Sequence, residues 1–241
     1  MFITKQDLFE VTIIYFGFSN APAIFQSIIN DILKNLICIQ LVMVYLDNIL
    51  IFGTCLKEHR QLVKKVLKRL QFNDFYTKAE KCFFEQSSIK YLGVIILENK
   101  VQVDEEKLSE VLEWPVLTKV KQVQVFLGFA NFYYRFIENF AKMSKPLSDL
   151  TKKDSTWTWD KEQQNTFEAL KKVFTMAPVL RIANDEDLFK LSTNASDFVT
   201  GAVLSQKDMQ TNLWHLVAFF SKLLDVYKRN YEIYDKELQN L

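Results

Sequence analysis

Asp47 stands in the stretch Leu41-Val42-Met43-Val44-Tyr45-Leu46-Asp47-Asn48-Ile49-Leu50-Ile51-Phe52, between two apolar runs rich in β-branched residues. Asp and Asn accept tight-turn backbone, so the stretch is expected to fold as a buried hairpin with a carboxylate held at its turn. A carboxylate there is either a plain exposed turn residue or a ligand for a cation, and turn chemistry alone favours the first. A second constellation is cationic. Lys64, Lys65, Lys68 and Arg69 lie opposite an apolar stripe of Val63, Val66, Leu67 and Leu70, a face that is either simply solvated or laid along phosphates. A third is aromatic: Phe126, Phe129, Phe132, Tyr133, Tyr134 and Phe136 crowd around Arg135, and rings so spaced more often build a core than a base-stacking platform.

The elements that position these groups follow from periodicity and punctuation. Phe9, Val11 and Ile13 alternate as in a strand. Asn20 suits a cap and Pro22 a first turn, so a helix is predicted to follow, with Phe25, Ile28, Ile29, Ile32, Leu33 and Leu36 on one face. Residues 91–97 read as one strand, which Glu98-Asn99-Lys100 turns into Val101-Gln102-Val103. Asp104 is placed to cap a helix through Leu112, and Thr118 to cap another that buries Val120, Val123 and Leu127. After a break at 155–160, a helix using Phe167, Leu170, Val173 and Phe174 leads into strands at 188–193, 200–205 and 213–221. Asp225 is then placed to cap a final helix with Tyr227, Tyr231, Tyr234 and Leu238 on one face.

A chain of 241 residues, 49% hydrophobic and 24% charged, has room for one sizeable core or two to three small modules, and is neither disordered nor fibrous. Its net charge of +1 gives no global pull on a polyanion, so a nucleic-acid surface has to be local. Cys38, Cys55 and Cys82 are odd in number and lack paired metal-type spacing, which points to reduced thiols in an intracellular compartment and away from zinc. No basic segment followed by an apolar one opens the chain, so it is not expected to be secreted. The most apolar window, 36–52, is interrupted by Gln40, Asp47 and Asn48, which argues against a membrane span.

Several stretches, in order along nearly the whole chain, resemble the pol region of Ty3/gypsy-type long-terminal-repeat retrotransposons, a reverse transcriptase followed by ribonuclease H. Phe16 to Gln26 is similar to that family's Phe-Gly-Leu-x-Asn-Ala-Pro-x-x-Phe-Gln segment, and Tyr45-Leu46-Asp47-Asn48 to its Tyr-x-Asp-Asp box. Glu80-Lys81-Cys82-Phe83-Phe84 and Tyr91-Leu92-Gly93-Val94-Ile95 resemble the approach to the primer grip. Residues 126–154 resemble the segment between polymerase and ribonuclease H, and 191–197 with 201–206 resemble the first two strands of the ribonuclease H domain. The resemblance implies an α+β chain: a partial fingers and palm over 1–97, thumb and connecting helices over 98–154, and a ribonuclease H-like α/β domain over 155–241.

What the resemblance implies chemically is two-metal phosphoryl transfer, with Mg²⁺ held by carboxylates. Asp47 matches the first Asp of the box, and Asn48 stands where the family has the second. The chain begins after the place of the remaining palm Asp, and Asp7 is out of register with it. In the ribonuclease H part, Asn194 stands in for the first acid and Glu237 matches the second, while the last two acids would fall beyond Leu241. Asp47 and Glu237 are thus the implied metal ligands, Phe16, Gly17 and Gln26 the nucleotide or template side, and Leu92 and Gly93 the primer grip. The implied partners are an RNA template with a DNA primer, or an RNA/DNA hybrid. An amide oxygen brings no charge to a Mg²⁺ ion, so impaired catalysis is expected. The alternatives are a non-catalytic nucleic-acid-binding module, using Lys64, Lys65, Lys68 and Arg69, or an unselected relic.

Overall fold

In a computed structural model, residues 2–3, 8–9, 18–53, 55–153, 155–225 and 227–238 are described. The chain forms two compact units, Met1–Gln86 and Ser87–Leu241.

In the first unit, β1 (Phe2–Ile3) and β2 (Leu8–Phe9) pair antiparallel. The positions of Val11 and Ile13 in the expected first strand lie outside the described residues. Helix α1 (Ala21–Cys38) follows, then the hairpin of β3 (Val42–Tyr45) and β4 (Asn48–Ile51), then α2 (Leu56–Phe72). The hairpin is the one expected, closed by the Tyr45↔Asn48 pair. Ile29, Leu33 and Leu36 of α1 bury against Val42 of β3 and against Leu62, Val66 and Leu70 of α2. Full burial of such side chains is worth about 1.5–3 kcal/mol each.

Two details differ from the sequence reading. Asn20 has helical backbone angles and its side chain makes no capping bond, because in that conformation it is not aimed at the first-turn amides. Of the expected stripe on α2, Val66 and Leu70 are buried, but Leu62 completes the seam in place of Val63 and Leu67. A strict four-residue step holds one line of the helix against its neighbours, and Leu67 is left exposed.

The second unit opens with a four-stranded antiparallel sheet in the order β5 (Ser88–Tyr91), β6 (Val94–Leu97), β7 (Lys100–Val103), β8 (Leu180–Arg181). Residues 91–97 are therefore not one strand. Leu92 (φ 49) and Gly93 (φ 81) make a two-residue turn between β5 and β6, and only glycine takes the second angle without strain. Helices α3 (Glu105–Leu112), α4 (Val120–Phe132), α5 (Phe140–Asp149) and α6 (Lys161–Thr175) pack into one core with this sheet. That core takes side chains from both sides of the 155–160 stretch, among them Phe126, Leu147, Phe167 and Phe174. The aromatic cluster is core, as its spacing suggested, except Phe132, which is 56% exposed.

Asp104 caps α3 as expected, its carboxylate accepting from the Glu106 N–H at 3.2 Å and lying 3.2 Å from Lys90 Nζ. Asp104→Ala should lower the unfolding free energy by about 1–2 kcal/mol, read from urea denaturation with an unchanged slope. Thr118 does not cap α4. Lys119 holds the cap position, and Gln122 reaches back instead, its Oε1 accepting from Thr118 N–H at 2.7 Å.

The second sheet has the order β11 (Trp214–Leu223), β10 (Val199–Lys207), β9 (Phe189–Ala195), all antiparallel. A short helix, α7 (Ile233–Leu238), packs on β9 and β10. The final helix thus starts later than the Asp225 cap implied. Tyr227 and Tyr231 precede it in a 3₁₀ turn and its exit, and Tyr234 is exposed, so these rings do not form one buried face. Among the described residues no helix is long and apolar enough to cross a membrane, and Cys38, Cys55 and Cys82 are free thiols.

Candidate functional site

The β3–β4 turn presents Asp47 and Asn48 to solvent, both exposed, with Leu46 in left-handed backbone (φ 52). A leucine held there costs about 1–2 kcal/mol, which another contact has to offset. That contact comes from Gln26 of α1. Its Oε1 accepts from the Leu46 N–H at 2.6 Å, and its Nε2 donates to Val44 C=O at 3.3 Å and to Asn30 Oδ1 at 2.8 Å. The structure therefore brings Gln26 to the turn that carries Asp47. Its amide is occupied by protein partners and works as a clasp on the hairpin. Phe16 and Gly17 lie outside the described residues.

Leu92 and Gly93 sit in the β5–β6 turn, half-buried or exposed. The Gly93 carbonyl accepts twice, from the Asp104 N–H at 3.2 Å and from the Tyr133 hydroxyl at 3.1 Å. Tyr133, at the end of α4, is 2% exposed, and its phenol pKa is pushed up to about 12, first by burial and then by the Asp104 and Glu110 charges. A side-chain carbon on Gly93 would fall 2.5 Å from that hydroxyl. Sequence reading singled out Leu92 and Gly93 but not the turn they make, and it gave Tyr133 no role beside them. The one signal was a tyrosine within a stripe of core aromatics.

Asn194 and Glu237 are placed by the second sheet. Asn194 of β9 is opposite Gly201 of β10, which is opposite Ser221 of β11, so the three share one face. On that face Ser221 Oγ accepts from the Ala141 N–H of α5 at 2.8 Å, and Asn194 lines a pocket with Glu138, Asn139 and Lys142. Thr200, one residue before Gly201, points to the other face, where its hydroxyl donates to Lys236 C=O of α7 at 3.3 Å. Asn194 is thus turned toward α5, while the helix that carries Glu237 packs on the opposite face. Lys236 itself is buried, with its Nζ 3.4 Å from Asp197 Oδ1.

Residues 1–96 match the family model "Reverse transcriptase (RNA-dependent DNA polymerase)", and residues 159–241 match "RNase H-like domain found in reverse transcriptase". The chain carries a reverse-transcriptase segment followed by an RNase H-like domain. Two similar relatives are the retrovirus-related Pol polyprotein from transposon 297 of Drosophila melanogaster and the transposon Tf2-7 polyprotein of Schizosaccharomyces pombe. The first is 34% identical over 98% of this chain, the second 35% over 98%. The chain spans only 22% and 18% of those polyproteins. Among solved structures, the foamy viral protease-reverse transcriptase in complex with RNA/DNA hybrid superposes with a TM-score of 0.76 at 23% identity, over 93% of this chain and 30% of that one. The same enzyme in complex with double-stranded DNA gives 0.75 at 23%, over 94% and 46%. At such identity the likeness shows a shared α+β fold.

Reverse transcriptases and RNase H domains use divalent metal, and the donors present here can be tested against that need. Asp47 is the one carboxylate in the 45–48 turn, and its neighbour Asn48 offers a neutral amide. Asn194 and the helix bearing Glu237 lie on opposite sides of a sheet. Among the described residues no three His, Cys, Asp or Glu side chains converge to hold a metal ion. Mg²⁺ surrenders water reluctantly and is held through carboxylates, so the described donors of this reverse-transcriptase segment do not fit it.

Lys64, Lys65 and Lys68 of α2 are exposed on the face away from the Leu62–Val66–Leu70 seam. Lys64 and Lys68, and Lys65 and Arg69, are like-charge pairs four apart, each costing the bare helix about 0.2–0.5 kcal/mol. Arg69 is not part of the free row. It is half-buried, and its Nη1 donates to Ile32 C=O of α1 at 3.4 Å.

Proposed function

We propose that this chain is the reverse-transcriptase and RNase H segment of a Ty3/gypsy-type retrotransposon polyprotein that engages an RNA/DNA hybrid or a primed RNA template with impaired phosphoryl transfer. In this reading residues 1–97 are the fingers and palm part, 98–154 the thumb and connecting helices, and 155–241 the RNase H-like domain. Asp47 and Glu237 stand at two of the positions where the family holds metal through acids, and Asn48 and Asn194 stand at positions of lost charge. Gln26 serves the template side by holding the Asp47 turn, and Leu92 and Gly93 meet the primer. The observation that carries the reading is the β3–β4 turn, where Gln26 holds the backbone beside Asp47 and residue 48 is an amide. Loss of one charged ligand removes about 3 kcal/mol or more of transition-state stabilisation, on the order of 100-fold in rate.

The test joins two assays on the whole chain. Fluorescence anisotropy with a labelled RNA/DNA hybrid should show saturable binding whose log K falls linearly with log salt. Primer extension and hybrid cleavage with Mg²⁺ should run at least about 100-fold below an ordinary enzyme rate. Turnover near 1 s⁻¹, roughly an ordinary enzyme rate, would overturn the impairment, and no saturable binding at low salt would overturn the binding role.

A further inference from the structure

We propose that the outer face of α2 is a track for single-stranded nucleic acid, with Lys64, Lys65 and Lys68 meeting phosphates and Phe72 stacking on an unpaired base. Gln61, Lys64, Lys65, Lys68, Arg69 and Phe72 line one shallow groove on this helix. Lys64, Lys68 and Phe72 recur every four residues, so they climb one side of the helix by about 6 Å per step, the reach of one nucleotide in an extended strand.

Charge makes the groove distinctive. Several lysines elsewhere are answered by acids: Lys90 by Asp104 and Glu106, Lys107 by Glu110, Lys145 and Lys152 by Asp149. Among the described residues no acidic side chain pairs with Lys64, Lys65 or Lys68. The chain as a whole carries only +1, so this is a local cluster of positive charge in a balanced protein. A bound polyanion would relieve the like-charge pairs that the helix otherwise tolerates.

Phe72 selects among polyanions. It closes α2 at the end of the lysine row and is 88% exposed, so it contributes little to the core. A blunt duplex offers phosphates but keeps its base faces stacked inside, and an acidic peptide offers carboxylates without flat rings. Only a single strand supplies both a charged backbone and a free base face.

The inference does not depend on the polymerase reading, and the experiment separates the two. Anisotropy is measured across a salt series with a labelled single-stranded RNA and, separately, a blunt RNA/DNA hybrid, using the full chain and two surface variants. The triple change Lys64→Ala, Lys65→Ala, Lys68→Ala should make the single-strand slope of log K against log salt shallower by about 2. Phe72→Ala should weaken single-strand binding roughly 5- to 150-fold at every salt concentration and leave the slope alone. Blunt-hybrid affinity should change in neither variant beyond the small screened effect of distant charge. Absence of either single-strand effect, or competition by polyglutamate as strong as by an oligonucleotide of equal charge, overturns the track. Loss of hybrid binding by the unaltered chain would sink the proposed function and leave the track standing.

Discussion

Gly93→Ala is expected to destabilise the Ser87–Leu241 unit by about 3 kcal/mol, and most of that cost should disappear when Tyr133 is replaced by Phe. Two penalties meet at Gly93. Its φ of 81 costs an L-residue about 1 kcal/mol or more, and the added carbon would sit 2.5 Å from the Tyr133 hydroxyl, an overlap of the kind that costs about 1–3 kcal/mol. With the hydroxyl gone, the nearest Tyr133 atom is Cζ at 3.6 Å, an ordinary contact, so only the backbone term is left. Tyr133→Phe alone should cost about 1 kcal/mol, because the Gly93 carbonyl keeps its bond from the Asp104 N–H. A double-mutant cycle by urea denaturation should then show coupling near 2 kcal/mol, whereas strict additivity would mean that the turn escapes the hydroxyl by moving.

The same tyrosine makes a pH prediction. Its folded-state pKa is raised from 10.0 to about 12, so the native state favours the neutral phenol. The contribution is present in full below pH 10 and is lost as pH rises toward 12. Chemical denaturation between those values should show a steeper loss in the natural chain than in Tyr133→Phe.

How much of this was legible in sequence depended on the range of the interaction. The Asp47 hairpin, the Asp104 cap and the helix with Phe167, Leu170 and Phe174 were readable, because each is fixed by residues within a few positions of one another. The turn at Leu92–Gly93 was passed over because an apolar run masks a two-residue reversal, and only the glycine marks it. Strand β8 was not seen, since two residues carry no periodicity and its partner β7 lies some eighty residues earlier. Gln206 shows the limit best. It is 0% exposed, and its amide takes the Asn184 N–H and donates to the Asn184 and Asp187 carbonyls, a clamp across about twenty residues that no local pattern encodes. In the candidate site, residue identities at 47, 48, 194 and 237 came from motif resemblance. The opposite facing of Asn194 and the Glu237 helix needed the register of three strands, and the Gln26 clasp needed a contact across twenty positions.

The identity of residue 48 sets the largest functional expectation. Asn48→Asp should tighten Mn²⁺ binding at the β3–β4 turn by at least about 30-fold. A second carboxylate about 4 Å from a divalent ion in a solvent-exposed turn adds about 2 kcal/mol, twice the value for unit charges in bulk water, and each 1.4 kcal/mol is tenfold. The turn need not be rebuilt for this, because Gln26 already fixes Leu46 and Val44 and leaves the tip free to present two neighbouring side chains. Exchange of the two residues, Asp47→Asn with Asn48→Asp, conserves the charge and should bind Mn²⁺ about as weakly as the natural chain. Asn194→Asp, on the α5-facing side of another sheet, should leave the turn's affinity unchanged. The loss of the free Mn²⁺ electron-spin-resonance signal on titration measures all three. Equal affinity in the natural chain and Asn48→Asp would show that charge at the box is not what limits the site, and impairment would then have to be sought in the geometry around Asp47.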